Sequence, residues 1–174
     1  MAYLAFGSNI GGPRARIARA LDAVARLGRV RAVSSLYRTE PVGFAAQPDF
    51  YNAVAALEWA GSAPALLRAT QAIEKRVGRT PGPRNGPREI DVDILDLGGL
   101  TRRRSDPVLP HPRMRGRRFV LEPLAEIAPE WRHPVGGETA EELLRALPKG
   151  PRVRRVSSRP RGSSARRPGS SDPR

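Results

Sequence analysis

The order of apolar periodicities constrains this chain more than any other feature: strand, helix, strand, strand, helix, strand. Residues 2–6, 30–37, 50–59 and 89–97 have the length and apolar character of strands. Between the first two, Ile17, Leu21, Val24 and Leu27 recur at helical spacing, and Gly28 is a stop signal. Between the last two, Ser62 as N-cap and Pro64 in the first turn open a helix carrying Leu66, Leu67, Ala69 and Ile73 as far as Gly78. This order predicts a ferredoxin-like α+β sandwich, with helices on one face of a largely antiparallel sheet and the other face free to bind. A last short helix is predicted over residues 139–147.

Side chains two apart on a strand share a face. Phe50, Asn52, Val54 and Ala56 therefore look one way, and Tyr51, Ala53, Ala55 and Leu57 the other. In the last strand Asp91 and Asp93 oppose Ile90, Val92 and Ile94. The two carboxylates lie roughly 6.5 to 7 Å apart along the chain, near enough to share a cluster of divalent cations. Magnesium suits such a pair, because it keeps several waters and is usually held by one or two carboxylates plus substrate phosphates. A bare D-x-D reads equally well as a solvated strand face. Its setting separates the two readings: Arg79, Arg84 and Arg88 in the preceding Gly/Pro loop are forked donors for phosphate oxygens. His111, between Pro110 and Pro112, and Arg117 form a second polar group able to close on the same phosphates; a structural histidine and a solvated arginine are the alternatives. Gly7–Gly12 reads G-S-N-I-G-G, which lacks the spacing and lysine of a Walker loop and fits a tight strand-to-helix turn.

With 174 residues, one catalytic unit is expected. The net charge of +14 suggests a polyanion partner, but half of it sits in residues 151–174, where eight arginines face only Asp172. That stretch has two valines and no aromatic residue, so a disordered basic tail is expected to follow a domain of residues 1–150. The absence of cysteine removes thiol chemistry and zinc–thiolate sites, and fits a reducing cytoplasm. No apolar run reaches membrane-spanning length, so a cytoplasmic protein with no membrane partner is expected.

The string R-x-G-P-R-x-I-D-x-D-I-L resembles the signature of the 6-hydroxymethyl-7,8-dihydropterin pyrophosphokinase family of folate biosynthesis. In order along the chain, A-F-G-S-N-I-G, S-S-L-Y-R-T-E-P-V-G, Q-P-D-F-Y-N-A-V, Q-A-I-E-K-x-x-G-R, L-P-H-P-R-M and R-R-F-V-L-x-P-L match as well, so the likeness spans residues 2–147. The resemblance implies transfer of diphosphate from Mg-ATP to the pterin hydroxymethyl group, with AMP released. It implies that Asp91 and Asp93 hold two magnesium ions, and that Gln71, Glu74, Arg79, Arg88, His111 and Arg117 surround ATP, with Arg79 and Arg88 joining the two aspartates in catalysis. Phe50 and Phe119 resemble two aromatic plates around the pterin, whose hydrogen-bonding edge is read by Asn52 and the backbone near Thr39 and Val42. Asn85 and Pro112 stand where relatives can carry aromatic residues.

The loops over residues 40–48 and 79–87 are expected to close on the substrates, in a protein acting as a monomer. The rival reading is an RNA-binding ferredoxin-like module using its open face. With 5% aromatic residues and no RNP1-like string, that platform is poorly supplied, and nucleic acid is expected as a partner only through the basic tail.

Overall fold

The computed structural model describes residues 1–41, 46–83, 86–148 and 150–157. The chain runs β1 (Ala2–Ser8), α1 (Pro13–Val24), β2 (Val30–Val33), β3 (Leu36–Thr39), β4 (Phe50–Leu57), α2 (Ala63–Val77), β5 (Asp91–Leu97), α3 (Arg118–Ile127), α4 (Ala140–Ala146) and β6 (Val153–Ser157). Every strand pairing is antiparallel, in the order β5-β1-β4-β3-β6, with β2 beside β4. Both β1-α1-β2 and β4-α2-β5 pass over an intervening strand, which is the split βαβ arrangement of ferredoxin-like folds.

Local chemistry sets the helix ends. Ser62 caps α2 by accepting the Ala65 N–H at 3.3 Å, Pro64 stands in its first turn, and Gly78 ends it at φ 101°, a conformation that favours glycine. In α4 Thr139 and Glu142 form a reciprocal capping box. Strand parity then divides the apolar residues between two cores. Leu4, Phe6, Ala53, Ala55, Leu57, Val92 and Ile94 point to the α1–α2 side, where Ile17, Leu21, Leu66 and Ile73 meet them. Each such large side chain contributes about 1.5–3 kcal/mol on burial. Val54 and Leu95 point the other way, onto Val120, Leu121, Leu124 and Leu143.

The antiparallel sheet and the two helices on its first face match the expectation, and three details differ. The second face, expected to be free, is partly covered by α3 and α4, leaving a cleft over the rest. Val120, Leu121 and Leu124 do follow a helical stripe, but two arginines open it and Pro123 lies inside it. The single strand expected over residues 30–37 breaks at Ser34 and Ser35. There the Ser34 hydroxyl accepts the Val54 N–H and the Ser34 N–H donates to the Val54 carbonyl, both at 2.9 Å.

The third difference concerns the first residues of the tail expected to be disordered over 151–174: within it Val153–Ser157 is a strand on the free edge of β3. An added edge strand is held by backbone hydrogen bonds and needs little apolar burial. Val156 packs on the first core, and Arg155 pairs with Glu126. Residues 158–174 lie outside the described residues. Among those described, no helix is long and apolar enough to cross a membrane.

Candidate active site

Asp91 and Asp93 project from β5 onto the face that also carries Phe50 and Asn52. The register explains how these groups share one cleft: Gly7 on β1 pairs with Asp91 on one side and with Asn52 on the other. Two strand spacings put the two side chains roughly 10 Å apart. Between them Gly7 has no side chain to fill the gap, and a Cβ there would sit 3.3 Å from the Asn52 Oδ1. Ala5, next on the same face, is also small. The resulting cleft measures about 770 Å³ and is lined by Gly7, Thr39, Phe50, Asn52, Arg88, Asp91, Asp93, Arg113, Arg117 and Phe119 among others.

The acidic end is enclosed by cations. Asp91 Oδ1 meets Arg79 at 2.8 Å and Oδ2 meets Arg88 at 2.6 Å. Asp93 lies 3.7 Å from Arg117 and 3.8 Å from the His111 Nε2. Burial, and then the neighbouring Asp91, hold the Asp93 carboxyl above its usual range, while Arg117 and Arg113 pull it down. Burial, with the Arg117 and Arg113 charges beside it, lowers His111 to about 4, so its imidazole is neutral at pH 7. Its Nδ1 accepts the Arg113 N–H at 3.2 Å. That hydrogen bond assigns the ring proton to Nε2, facing Asp93.

Glu74 is 6% exposed and lies against the outer edge of β5, where it accepts the Val92 N–H at 2.8 Å and pairs with Arg79. Burial pushes it up to about 7 against those two donors. It holds Arg79 in place beside Asp91. Gln71, one turn earlier on α2, is exposed and does not line the cleft.

At the other end, Phe50 and Phe119 both line the cleft, and the Asn52 amide donates to the Thr39 hydroxyl at 3.0 Å. The Arg117 guanidinium lies 5.5 Å from the centre of the Phe119 ring. Tyr51 turns to the opposite face and packs on the first core, as strand parity requires. Of the other residues singled out from sequence, Val42, Arg84 and Asn85 lie outside the described residues, and with them parts of both loops expected to close.

Sequence reasoning passed over Arg113 and Arg118, which also line the cleft. Arg113 stood inside the L-P-H-P-R-M segment, and that position was its signal. Asn9 was missed as well: it donates to Gln47 Oε1 and the Pro48 carbonyl at 3.1 and 3.0 Å and accepts the Arg88 N–H at 2.8 Å, tying the bases of both loops to the end of β1. Among the described residues no group of three or more His, Asp or Glu side chains could hold a metal by itself. Two adjacent carboxylates ringed by arginines fit a cation that arrives with phosphates rather than a protein cage.

The sequence profile of the 7,8-dihydro-6-hydroxymethylpterin-pyrophosphokinase (HPPK) family matches residues 3–129. The chain is 47% identical over 148 residues to a 2-amino-4-hydroxy-6-hydroxymethyldihydropteridine pyrophosphokinase of Pseudomonas aeruginosa, covering 84% of this chain and 91% of that protein. The namesake from Methylorubrum extorquens is 43% identical over 148 residues, with 84% and 92% covered. The folic acid synthesis protein fol1 of Schizosaccharomyces pombe is 39% identical over 150 residues, which are 85% of this chain but 20% of that longer protein.

Among solved structures, a Plasmodium falciparum HPPK-DHPS aligns with TM-score 0.64 at 16% identity, over 83% of this chain and 43% of that one, a likeness of fold. These relatives give the RNA-binding alternative no support. The chain belongs to the 7,8-dihydro-6-hydroxymethylpterin-pyrophosphokinase family and is a transferase of folate biosynthesis.

Proposed function

We propose that the cleft brings ATP and 6-hydroxymethyl-7,8-dihydropterin together, with the phosphates at the Asp91–Asp93 end and the pterin between Phe50 and Phe119. The observation that carries this reading is the floor at Gly7: it joins a carboxylate–arginine cluster to an aromatic and amide pocket on one sheet face. The pterin hydroxymethyl oxygen attacks the β-phosphorus of ATP and gives up its proton to solvent, the bond from that phosphorus to the α,β-bridging oxygen breaks, and AMP leaves with that oxygen.

Each side chain has a task set by its surroundings. Asp91 and Asp93 are the residues that would hold two magnesium ions with the nucleotide. When bound, magnesium neutralises charge on the phosphates. Arg79, Arg88 and Arg117 stand close to the aspartates, and each has N–H donors beyond those it uses there, free for phosphate oxygens. Neutral His111 offers its Nε2 proton to the same oxygens. Glu74 orients Arg79 and does not itself reach ATP. Asn52 and Thr39, already hydrogen-bonded to each other, present a fixed polar edge to the pterin, and the rings of Phe50 and Phe119 supply stacking area. Positioning and charge stabilisation carry most of the acceleration in such transfers.

The reaction as proposed invokes no second copy of the chain, and on this reading the protein acts as a monomer in the cytoplasm. The test is incubation with Mg-ATP, with and without 6-hydroxymethyl-7,8-dihydropterin, while AMP is followed. Pterin-dependent AMP is expected. AMP release indifferent to pterin would overturn the reading.

A further inference from the structure

The segment after α4 crosses the pterin end of the cleft. Leu147, Pro148, Gly150, Pro151 and Val153 all line it, on the side of Thr39, Glu40 and Phe119. This segment lies beyond residues 3–129, the part of the chain that matches the family profile.

It is fastened at both ends to α3, the helix whose first turn carries Phe119. At the near end Arg118 donates to the carbonyls of Leu147 and Pro148, at 3.2 and 3.5 Å. At the far end β6 pairs with β3, setting Val153 opposite Thr39 and Arg155 opposite Tyr37. There the Glu126 carboxylate, from the last turn of α3, gathers three elements. It accepts the Ser35 N–H at 2.9 Å, the Ser35 hydroxyl at 2.7 Å and the Tyr37 hydroxyl at 2.9 Å, and it pairs with Arg155 at 3.3 Å. The Arg155 Nε also donates to the Ser35 hydroxyl at 2.7 Å. A carboxylate with this many donors is a fixed point. The Arg152 N–H closes the run on the Glu40 carboxylate at 3.1 Å.

We infer that Glu126 and Arg155 are positioning residues which hold Leu147, Pro148 and residues 150–153 as a wall of the pterin pocket, so that the C-terminal strand sets pterin affinity without touching the nucleotide. The inference rests on the pterin reading of this cleft. Geometry separates the two ligands: the wall borders Thr39, Glu40 and Phe119, whereas Arg79, Arg88 and Asp91 cluster on and beyond β5, three strands away from β3 in the sheet order.

The test compares the full chain with one ending at Ser157, one ending at Pro151, and the point variants Arg155→Ala and Arg155→Lys. Pterin is titrated calorimetrically in the presence of a saturating non-hydrolysable Mg-ATP analogue, and the analogue is titrated alone. The chain ending at Pro151 should bind pterin at least about tenfold more weakly, a factor that corresponds to about 1.4 kcal/mol. Arg155→Ala should show a smaller loss in the same direction, and Arg155→Lys should recover part of it. The chain ending at Ser157 should match the full chain. Nucleotide affinity should stay within about twofold throughout, and KM for pterin should rise more than kcat falls. Native pterin affinity in both Arg155→Ala and the Pro151-terminated chain would overturn the inference, as would equal losses for both ligands. A full-length chain that bound the nucleotide analogue but not pterin would instead overturn the proposed function, and the inference with it.

Discussion

Glu74 and His111 flank the carboxylate cluster with opposite proton preferences, and their effects on stability should run in opposite directions with pH. His111 falls from 6.5 to about 4 on folding because it is buried beside Arg117 and Arg113. As pH drops through that window the unfolded chain takes up a proton that the folded chain refuses, so the folded state loses about 3 kcal/mol. Glu74 rises from 4.5 to about 7, chiefly through burial. As pH climbs from 4.5 to 7 the unfolded chain releases a proton that the folded chain keeps, so the folded state again loses about 3 kcal/mol, now in the alkaline direction.

In the intact protein the two slopes largely cancel between pH 4.5 and 6.5, and substitution should expose each of them. Relative to wild type, His111→Gln removes the acid-side loss, so the stability of wild type minus variant should rise with pH from about 4 to 6.5. Glu74→Gln can still accept the Val92 N–H, and the corresponding difference should fall with pH from about 4.5 to 7. Urea denaturation followed by circular dichroism at half-unit pH steps gives both curves. If both differences stayed flat across their windows, the burial assigned to these groups would be wrong. If they had the same sign, the linkage argument itself would fail.

Replacing Asp91 or Asp93 with Ala should lower kcat by about three orders of magnitude, the scale of several kcal/mol of charge stabilisation. Because Val92 and Ile94 keep their packing on the opposite face, both variants should still fold, with Asp91→Ala the more destabilised because it removes the half-buried partner of Arg79 and Arg88; near-native turnover in a magnesium titration of either folded variant would show its carboxylate to be a plain strand residue. Phe50→Ala should weaken pterin binding about tenfold or more and leave nucleotide binding nearly unchanged. Equal weakening of both ligands in calorimetry would place Phe50 in the core instead.

What the sequence made legible was whatever local periodicity encodes. A period of two put Asp91 with Asp93 and Phe50 with Asn52, and turned Tyr51 away, because parity alone decides the face. Caps and stop signals placed α2 between Ser62 and Gly78. What stayed hidden depends on partners distant in the chain. Ser35 and Glu126 are 91 residues apart, and nothing near either one announces their contact. The β6 strand escaped notice because Arg152, Arg154 and Arg155 look like a solvated run, whereas an edge strand needs only a free backbone edge to join. The start of α3 was masked because Arg117 was read for its charge and Arg118 was passed over, although Arg118 secures the wall that follows α4. Strand parity could say that Asp91 and Asn52 each faced away from the first core, but only the sheet order puts Gly7 between them.

The most direct test of the account is the fate of the phosphorus it says is attacked. ATP radiolabelled at the β-phosphorus is incubated with the protein, magnesium and 6-hydroxymethyl-7,8-dihydropterin, and the products are separated by chromatography. The account predicts that the label leaves ATP with the pterin, in one product carrying both terminal phosphates, while AMP appears unlabelled in equal amount. Label recovered in ADP or free diphosphate, with the pterin unmodified, would contradict it.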